Sequence, residues 1–437
     1  MVKILFLFLV SPFLLFLLLF FIDSIRERQR RASTISALAW LFVLSGTAVV
    51  LVYVDQIFLL WSLNALLLCS IVGGALPLSK MSSITFTGEP LPYDERDIMF
   101  ARARYRPGTP EYQEYYSRHP ERQLLDDELR ALPELLEPGG ARYEAVRAKL
   151  AQTYFEANER LIPFCEGNRT VPASSVDPHD ATRRLKQLAR DCGAVDVGVA
   201  ELHPGFLYTH VGRGPGGYGT PIHLDHTYVL VYAVEMDADV MRQAPRMPVV
   251  VESAARYLHC ATIGIPLAAT IRHDGYDARA HTDANYRLLV PAAAVAAGLG
   301  EVGRLGYLLH PRYGARVRLG AVTTTMPLVP DAPTTFGVQD FCRICKKCTQ
   351  QCPAGAISFG EEKLVRGVHK WSTNQEACYK YWRTVGTDCG ICMHVCPYSR
   401  PATFTHNIIR LLIRRNAIAR RLAVWADKLI YPPAASL

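Results

Sequence analysis

Eight of the twelve cysteines stand between residues 342 and 396, in two runs that each close on Cys-Pro. The first reads Cys342-x2-Cys345-x2-Cys348-x3-Cys352-Pro353, the second Cys378-x10-Cys389-x2-Cys392-x3-Cys396-Pro397. The first is the run that builds 4Fe–4S cubes in two-cluster ferredoxins, where three thiolates hold one cube and the fourth crosses to the other. Cys342, Cys345 and Cys348 are therefore expected to share one cube with Cys396. Cys389 and Cys392 are expected to share the second with Cys352 and Cys378. Gly386 stands where the second run would carry its first cysteine, and Cys378 is the natural replacement. Paired Cys-x2-Cys also builds zinc ribbons, but the Cys-Pro endings and the x3 gaps favour clusters. The chemistry is electron transfer.

Other residues with chemical potential are weaker signals. Gly212-Arg-Gly-Pro-Gly-Gly-Tyr-Gly219 lacks the Lys-Ser/Thr of a phosphate loop, so it reads as a mobile loop near a ligand. His223-x2-His226 has default hydrogen-bonding roles. Cys69, Cys165, Cys192 and Cys260 are scattered and read as small buried apolar residues. No GxGxxG fingerprint follows a strand.

At 437 residues the chain has room for two or three domains. Residues 4–22 are apolar but for Ser11 and Pro12, long enough to cross a bilayer, and too long for the apolar part of a cleaved signal. Residues 35–54 and 57–78 follow, split by Asp55-Gln56, so three transmembrane helices are expected. Arg26, Arg28, Arg30 and Arg31 place the first connection in the cytoplasm by the positive-inside rule. The chain after Lys80 then also faces the cytoplasm, a reducing side that suits clusters. A re-entrant third segment would reverse this. The net charge of +8 is partly carried by a basic amphipathic C-terminal helix, to lie on an anionic leaflet or to pack back on the cluster domain. No nucleic-acid recognition motif accompanies the charge.

Between anchor and clusters the pattern is mixed. Helical spacing marks 133–137, 143–160, a helix opened by Asp177-Pro178, and 250–273, while 195–200, 228–234 and 317–323 read as strands. The fold class expected is α+β: membrane anchor over 1–80, an α/β domain over 81–335, a ferredoxin-like dicluster domain over 336–400 and the basic helix over 401–437. Some 250 residues ahead of the clusters exceed what a plain carrier needs, so electrons are delivered to something bound there.

The order of local motifs resembles the corrinoid- and iron–sulfur-dependent reductive dehalogenases over roughly residues 94–400. It is carried by Asp97-Ile-Met-Phe-Ala-Arg102, Gly108-Thr-Pro-Glu-Tyr-Gln-Glu-Tyr-Tyr116, Ile271-Arg-His-Asp-Gly275-Tyr276, Ala297-Gly-Leu-Gly-Glu-Val-Gly-Arg304-Leu-Gly306, His310-Pro-Arg-Tyr-Gly314-Ala-Arg316-Val-Arg318 and the dicluster. Gly-Leu-Gly-Glu and the dicluster are shared with epoxyqueuosine reductases. The resemblance implies a base-off cobamide in a nitroreductase-like core, fed by both clusters, and reductive removal of halide from an organohalide. It implies that Tyr257, in Glu252-Ser-Ala-Ala-Arg-Tyr257, donates the proton, with its phenolate stabilised by Arg316 or Arg318. Gly298, Gly300, Gly303, Arg304 and Gly306 suit close backbone approach to a large planar ligand, and Tyr276 and Asn285 are reserve pocket residues. The expected partners are membrane lipid, a small halogenated substrate, and reduced ferredoxin, flavodoxin or quinol as donor; no nucleic acid is expected. The expected location is the inner membrane, multi-pass, with the site cytoplasmic. Unlike the respiratory members, the chain has no twin-arginine signal. The rival readings are an epoxyqueuosine-reductase-like enzyme and a membrane-bound ferredoxin-type carrier without corrinoid.

Overall fold

The computed structural model describes residues 2–54, 57–75, 81–83, 90–214 and 217–431, with backbone alone at 70–75. Asp55-Gln56, part of the Gly212–Gly219 loop and the end of the third apolar segment lie outside the described residues. The chain divides into two compact units, one of Met1–Ser82, Phe336–Cys345 and Arg400–Leu437, the other of Ser83–Thr335 and Lys346–Ser399.

The first unit opens with three helices: α1 (Val2–Arg26), α2 (Arg30–Tyr53) and α3 (Ile57–Ala75). At ~1.5 Å per residue, α1 and α2 reach about 36 Å, more than the ~30 Å of a bilayer core. These two are long and apolar enough to cross a membrane. The apolar α3 is shorter, at 19 residues. Lys3 Nζ donates to Leu51 O at 2.8 Å, so the start of α1 meets the end of α2 and the two run antiparallel, while Asn64 Nδ2 of α3 donates to Val2 O at 3.4 Å. The basic C-terminal stretch is two helices, Phe404–Arg415 and Ala417–Ile430, rather than one. The break is Asn416, whose extended backbone ends the first while its side chain accepts from Ala419 N at 2.9 Å to cap the second.

The second unit holds β1 (Asp196–Glu201), β2 (Tyr228–Glu235), β3 (Ala278–His281), β4 (Glu301–Val302), β5 (Leu308–Leu309), β6 (Val317–Thr324), β7 (Lys363–Val365) and β8 (Val368–Lys370). A four-stranded antiparallel sheet has the order β1-β2-β6-β3, and β4 with β5 makes a short hairpin. The central strands β2 and β6 are buried over most of their length, which explains their continuous apolar runs. The long helix Met247–His273 lies on this sheet. Its Gly264 is required there, because a Cβ would stand 2.3 Å from Tyr232 Oη, which itself donates to Cys260 O at 2.7 Å. Cys165 and Cys260 are buried in the core, as small apolar residues would be, whereas Cys192 is half-buried and Cys69 exposed.

Three local readings differ. Residues 133–137 form turns, with Leu136 at φ +70°, because Pro133 and Pro138 bracket too few residues for a helix. Strand β3 went unpredicted, since Ala-Arg-Ala-His has little β-propensity and is held by pairing with β6. Asp177 does cap its helix, accepting from Asp180 N at 2.8 Å.

Candidate active site

The first half of helix Met247–His273 turns Ser253 and Tyr257 toward the start of β6. Arg318, the second residue of that strand, spans them. Its Nη2 donates to Ser253 Oγ at 2.6 Å and its guanidinium carbon lies 5.0 Å from the Tyr257 ring centroid. Asp388 closes the cluster, 3.6 Å from Arg318 Nη2 and 2.5 Å from Ser253 Oγ, with its other oxygen finding no hydrogen-bond partner among the described residues. Burial raises the Tyr257 phenol above its usual range and Arg318 pulls it back down only in part, so the hydroxyl keeps its proton at neutral pH. Burial likewise raises the Asp388 carboxyl, against the pull of Arg318 and Ser253.

Arg316 does something else. It stands before β6 begins, so the i, i+2 face rule for strands does not join it to Arg318. Its Nε donates to Ser399 O at 2.7 Å, and its Nη1 to Met236 O at 2.6 Å and Glu235 Oε1 at 3.0 Å. Those bonds hold chain segments together away from Tyr257.

Tyr257 and Arg318 line a cavity of about 190 Å³ with Leu305, Tyr307, Asp388, Cys352, Cys378, Cys389 and Cys392. These four cysteines are the set expected for one cube. They perturb one another: burial first, then Cys352, pushes Cys378 up to about 11, and burial with Cys378 and Cys352 pushes Cys389 up to about 12. Four thiols that line one cavity offer the donor set a four-iron cube takes. For the other cube, Cys342 and Cys345 lie buried on helix Val338–Cys345 of the first unit, and Cys348 and Cys396 are buried in the second.

The glycine-rich stretch has reasons internal to the protein. A Cβ on Gly298 would meet Ala332 O at 2.6 Å, and one on Gly300 would meet Leu309 O at 2.2 Å. Gly303 N donates to Tyr307 O and Gly306 N to Gly303 O, the latter glycine at φ +84°. Arg304 is buried, donating to Ser358 O and Gly360 O at 2.8 Å and stacking over Trp371. Instead it is Leu305 and Tyr307, in the connection between β4 and β5, that reach the cavity. The reserve residues do not: Tyr276 Oη donates to Ser174 O, and Asn285 Oδ1 accepts from Arg279.

A corrin macrocycle is several times larger than the enclosed 190 Å³. Phe100 and Tyr307 also line the cavity and stand 40 and 36% exposed, so a corrin could extend over them beyond the cavity itself. Uncovered aromatic surface beside an orphaned buried carboxylate oxygen suits a large, mostly apolar ligand. Sequence reasoning missed Ser253 and Asp388. Asp388 could have been found only from its place next to Cys389.

Residues 341–399 match the 4Fe-4S dicluster domain. The chain is 31% identical over 290 residues to the tetrachloroethene reductive dehalogenase of Sulfurospirillum multivorans, covering 59% of this chain and 58% of that one. It is 33% identical over 119 residues to an epoxyqueuosine reductase of Listeria monocytogenes, covering 26% of this chain and 30% of that one. Among solved structures, the catabolic reductive dehalogenase NpRdhA in complex with 3-bromo-4-hydroxybenzoic acid superposes with a TM-score of 0.64 and 26% identity, covering 80% of this chain and 48% of that one. The chain thus spans about half the length of the dehalogenases it matches. It is similar to the reductive dehalogenases over 59% of its length and, over a shorter stretch, to an epoxyqueuosine reductase.

Proposed function

We propose that the chain is a membrane-anchored oxidoreductase that replaces a halogen substituent by hydrogen on a small organic substrate. The balance is R–X plus two electrons and one proton giving R–H and halide. The clusters and a cobalamin-type corrinoid, when bound, supply the electrons and the centre at which the carbon–halogen bond is broken. The chain's own task is to orient the substrate and deliver the proton.

The observation that carries this reading is one cavity lined both by the Tyr257–Arg318 pair and by Cys352, Cys378, Cys389 and Cys392. Tyr257 stays protonated until negative charge develops on the substrate carbon, then gives up its hydroxyl proton. Arg318, fixed by Ser253 and Asp388, stabilises the phenolate left behind. Arg316 has a structural task in this reading. Gly298, Gly300, Gly303, Arg304 and Gly306 set the hairpin that carries Leu305 and Tyr307 toward a corrin within a nitroreductase-like core over residues 81–335. Residues 336–400 hold both cubes, the other through Cys342, Cys345, Cys348 and Cys396.

The anchor is residues 1–80, crossing the inner membrane with α1, α2 and α3. Thr405 Oγ1 donates to Asp23 Oδ2 at 2.7 Å and His406 Nε2 bonds Glu27 Oε1 at 3.1 Å, so the C-terminal helices meet the arginine-bearing end of α1. That supports a cytoplasmic site fed by reduced ferredoxin, flavodoxin or quinol. Halide release from halogenated phenols, alkenes and alkanes under reduced methyl viologen tests the reading. Turnover that disappears in Tyr257→Phe with iron content unchanged is the expected result; full activity in that variant removes the tyrosine from the reaction.

A further inference from the structure

Helix Ala417–Ile430 is turned inside out. Its buried side carries Arg420, Val424 and Asp427, at 4, 9 and 9% exposure. Its open side carries Ile418, Leu422, Trp425 and Leu429, at 58, 59, 65 and 41%. Those four recur at i, i+4, i+7 and i+11, a single stripe of the helix. A helix on a water-facing surface shows the reverse arrangement.

The inversion is held in place by bonds. Arg420 Nε donates to Ile413 O and its Nη2 to Arg414 O, both at 2.8 Å, and Asp340 Oδ2 lies 3.5 Å away. Asp427 accepts from Arg400 Nη2 at 3.2 Å. Rotating the stripe inward would strip these buried charges of their partners, which is far costlier than leaving four apolar side chains in an apolar medium. The preceding helix adds Phe404 and Leu411 to the open apolar surface, at 64 and 69%.

What covers the stripe is indicated by what the helix pair is fastened to. The Asp23–Thr405 and Glu27–His406 bonds tie it to the end of α1, and Phe20, Ala32 and Tyr431 share an apolar cluster. Exposed cations surround that end: Arg26 at the close of α1, Arg28 on the connection, and Arg30 and Arg31 at the start of α2, with Arg421 and Lys428 along one edge of the stripe. An apolar stripe bearing a tryptophan, edged by cations and joined to a membrane-crossing helix where it leaves the bilayer, has the chemistry of an interfacial element.

We infer that residues 404–430 lie in the anionic leaflet on the side of the α1–α2 connection, with Leu422 and Trp425 among the acyl chains and Arg421 and Lys428 at headgroup level. This rests on the reading of α1 and α2 as membrane spans, and the test keeps the two apart. Full-length protein in nanodiscs of phosphatidylethanolamine and phosphatidylglycerol carries p-benzoylphenylalanine at Leu422, at Phe42 of α2 (78% exposed), or at Lys149 on an exposed face of the other unit. Phospholipid adducts at positions 422 and 42 and none at 149 are expected. An adduct at 42 without one at 422, or a cross-link from 422 to a second copy of the chain, overturns the interfacial helix alone. No adduct at 42 overturns the spans and the inference with them. As a second readout, the emission difference between the parent and Trp425→Phe is expected to be lost on brominating the phosphatidylglycerol acyl chains; an unquenched difference also overturns the inference.

Discussion

Replacing Arg318 by methionine keeps an unbranched stem and removes the charged guanidinium. Three partners feel the loss: the Tyr257 ring 5.0 Å from the guanidinium carbon, Ser253 Oγ at 2.6 Å and Asp388 Oδ2 at 3.6 Å. Breaking one side of a buried ion pair costs roughly 3–5 kcal/mol, largely through the charge left behind. Burial already raises the Asp388 carboxyl, and losing the cation raises it further, which eases the cost of the charge left behind. That limits the loss to the low end, about 3 kcal/mol. Adding Asp388→Asn removes the abandoned carboxyl and is expected to recover about 2 kcal/mol of it. Turnover behaves differently. The phenolate of Tyr257 has lost its cation in both variants, so halide release falls ~10²–10⁴-fold in the single variant and stays there in the double. Anaerobic urea unfolding followed by far-UV circular dichroism measures the first effect, and halide release under reduced methyl viologen the second. A single variant within ~0.5 kcal/mol of the parent, or a double variant with restored turnover, refutes Arg318 as the support of the tyrosine.

Three further outcomes follow from the geometry. Cys378→Ser removes a ligand from the set lining the cavity, so iron content falls from about eight toward about four per chain while the other cube stays visible by electron paramagnetic resonance. Gly314 has φ +59°, and a Cβ there would meet the Tyr398 carbonyl at 2.4 Å; Gly314→Ala is expected to cost roughly 1–3 kcal/mol in urea unfolding, and an unchanged midpoint contradicts that packing. Burial would raise the Asp196 carboxyl, but His310 at 3.0 Å outweighs it and the carboxyl ends below its usual range. Its contribution to stability is therefore present above the ordinary carboxylate pKa and lost as pH falls through the depressed one. The thermal midpoint of the parent should thus drop more steeply below pH ~4 than that of His310→Gln.

Much of this was legible in the residues themselves. The apolar runs of β2 and β6, the long helix Met247–His273 and the cap at Asp177 follow directly from periodicity and capping chemistry. Cysteine spacing grouped Cys352, Cys378, Cys389 and Cys392, the four that line one cavity. The choice between Arg316 and Arg318 was not legible, because it depends on where β6 begins and on the distant Ser399 and Asp388. The glycines around Arg304 read as ligand approach, yet Gly298 and Gly300 stand against the protein's own carbonyls at Ala332 and Leu309, a tertiary contact that composition does not encode. The C-terminal helix broke at Asn416, a capping residue hidden in an uninterrupted amphipathic pattern.

The account stands most directly on metal content. Protein prepared anaerobically and reconstituted with iron, sulfide and a cobamide should carry about eight iron and one cobalt per chain, since two four-iron cubes and one corrinoid require it. Iron near that level with no cobalt bound would leave a relay without a terminus and contradict the proposed dehalogenation.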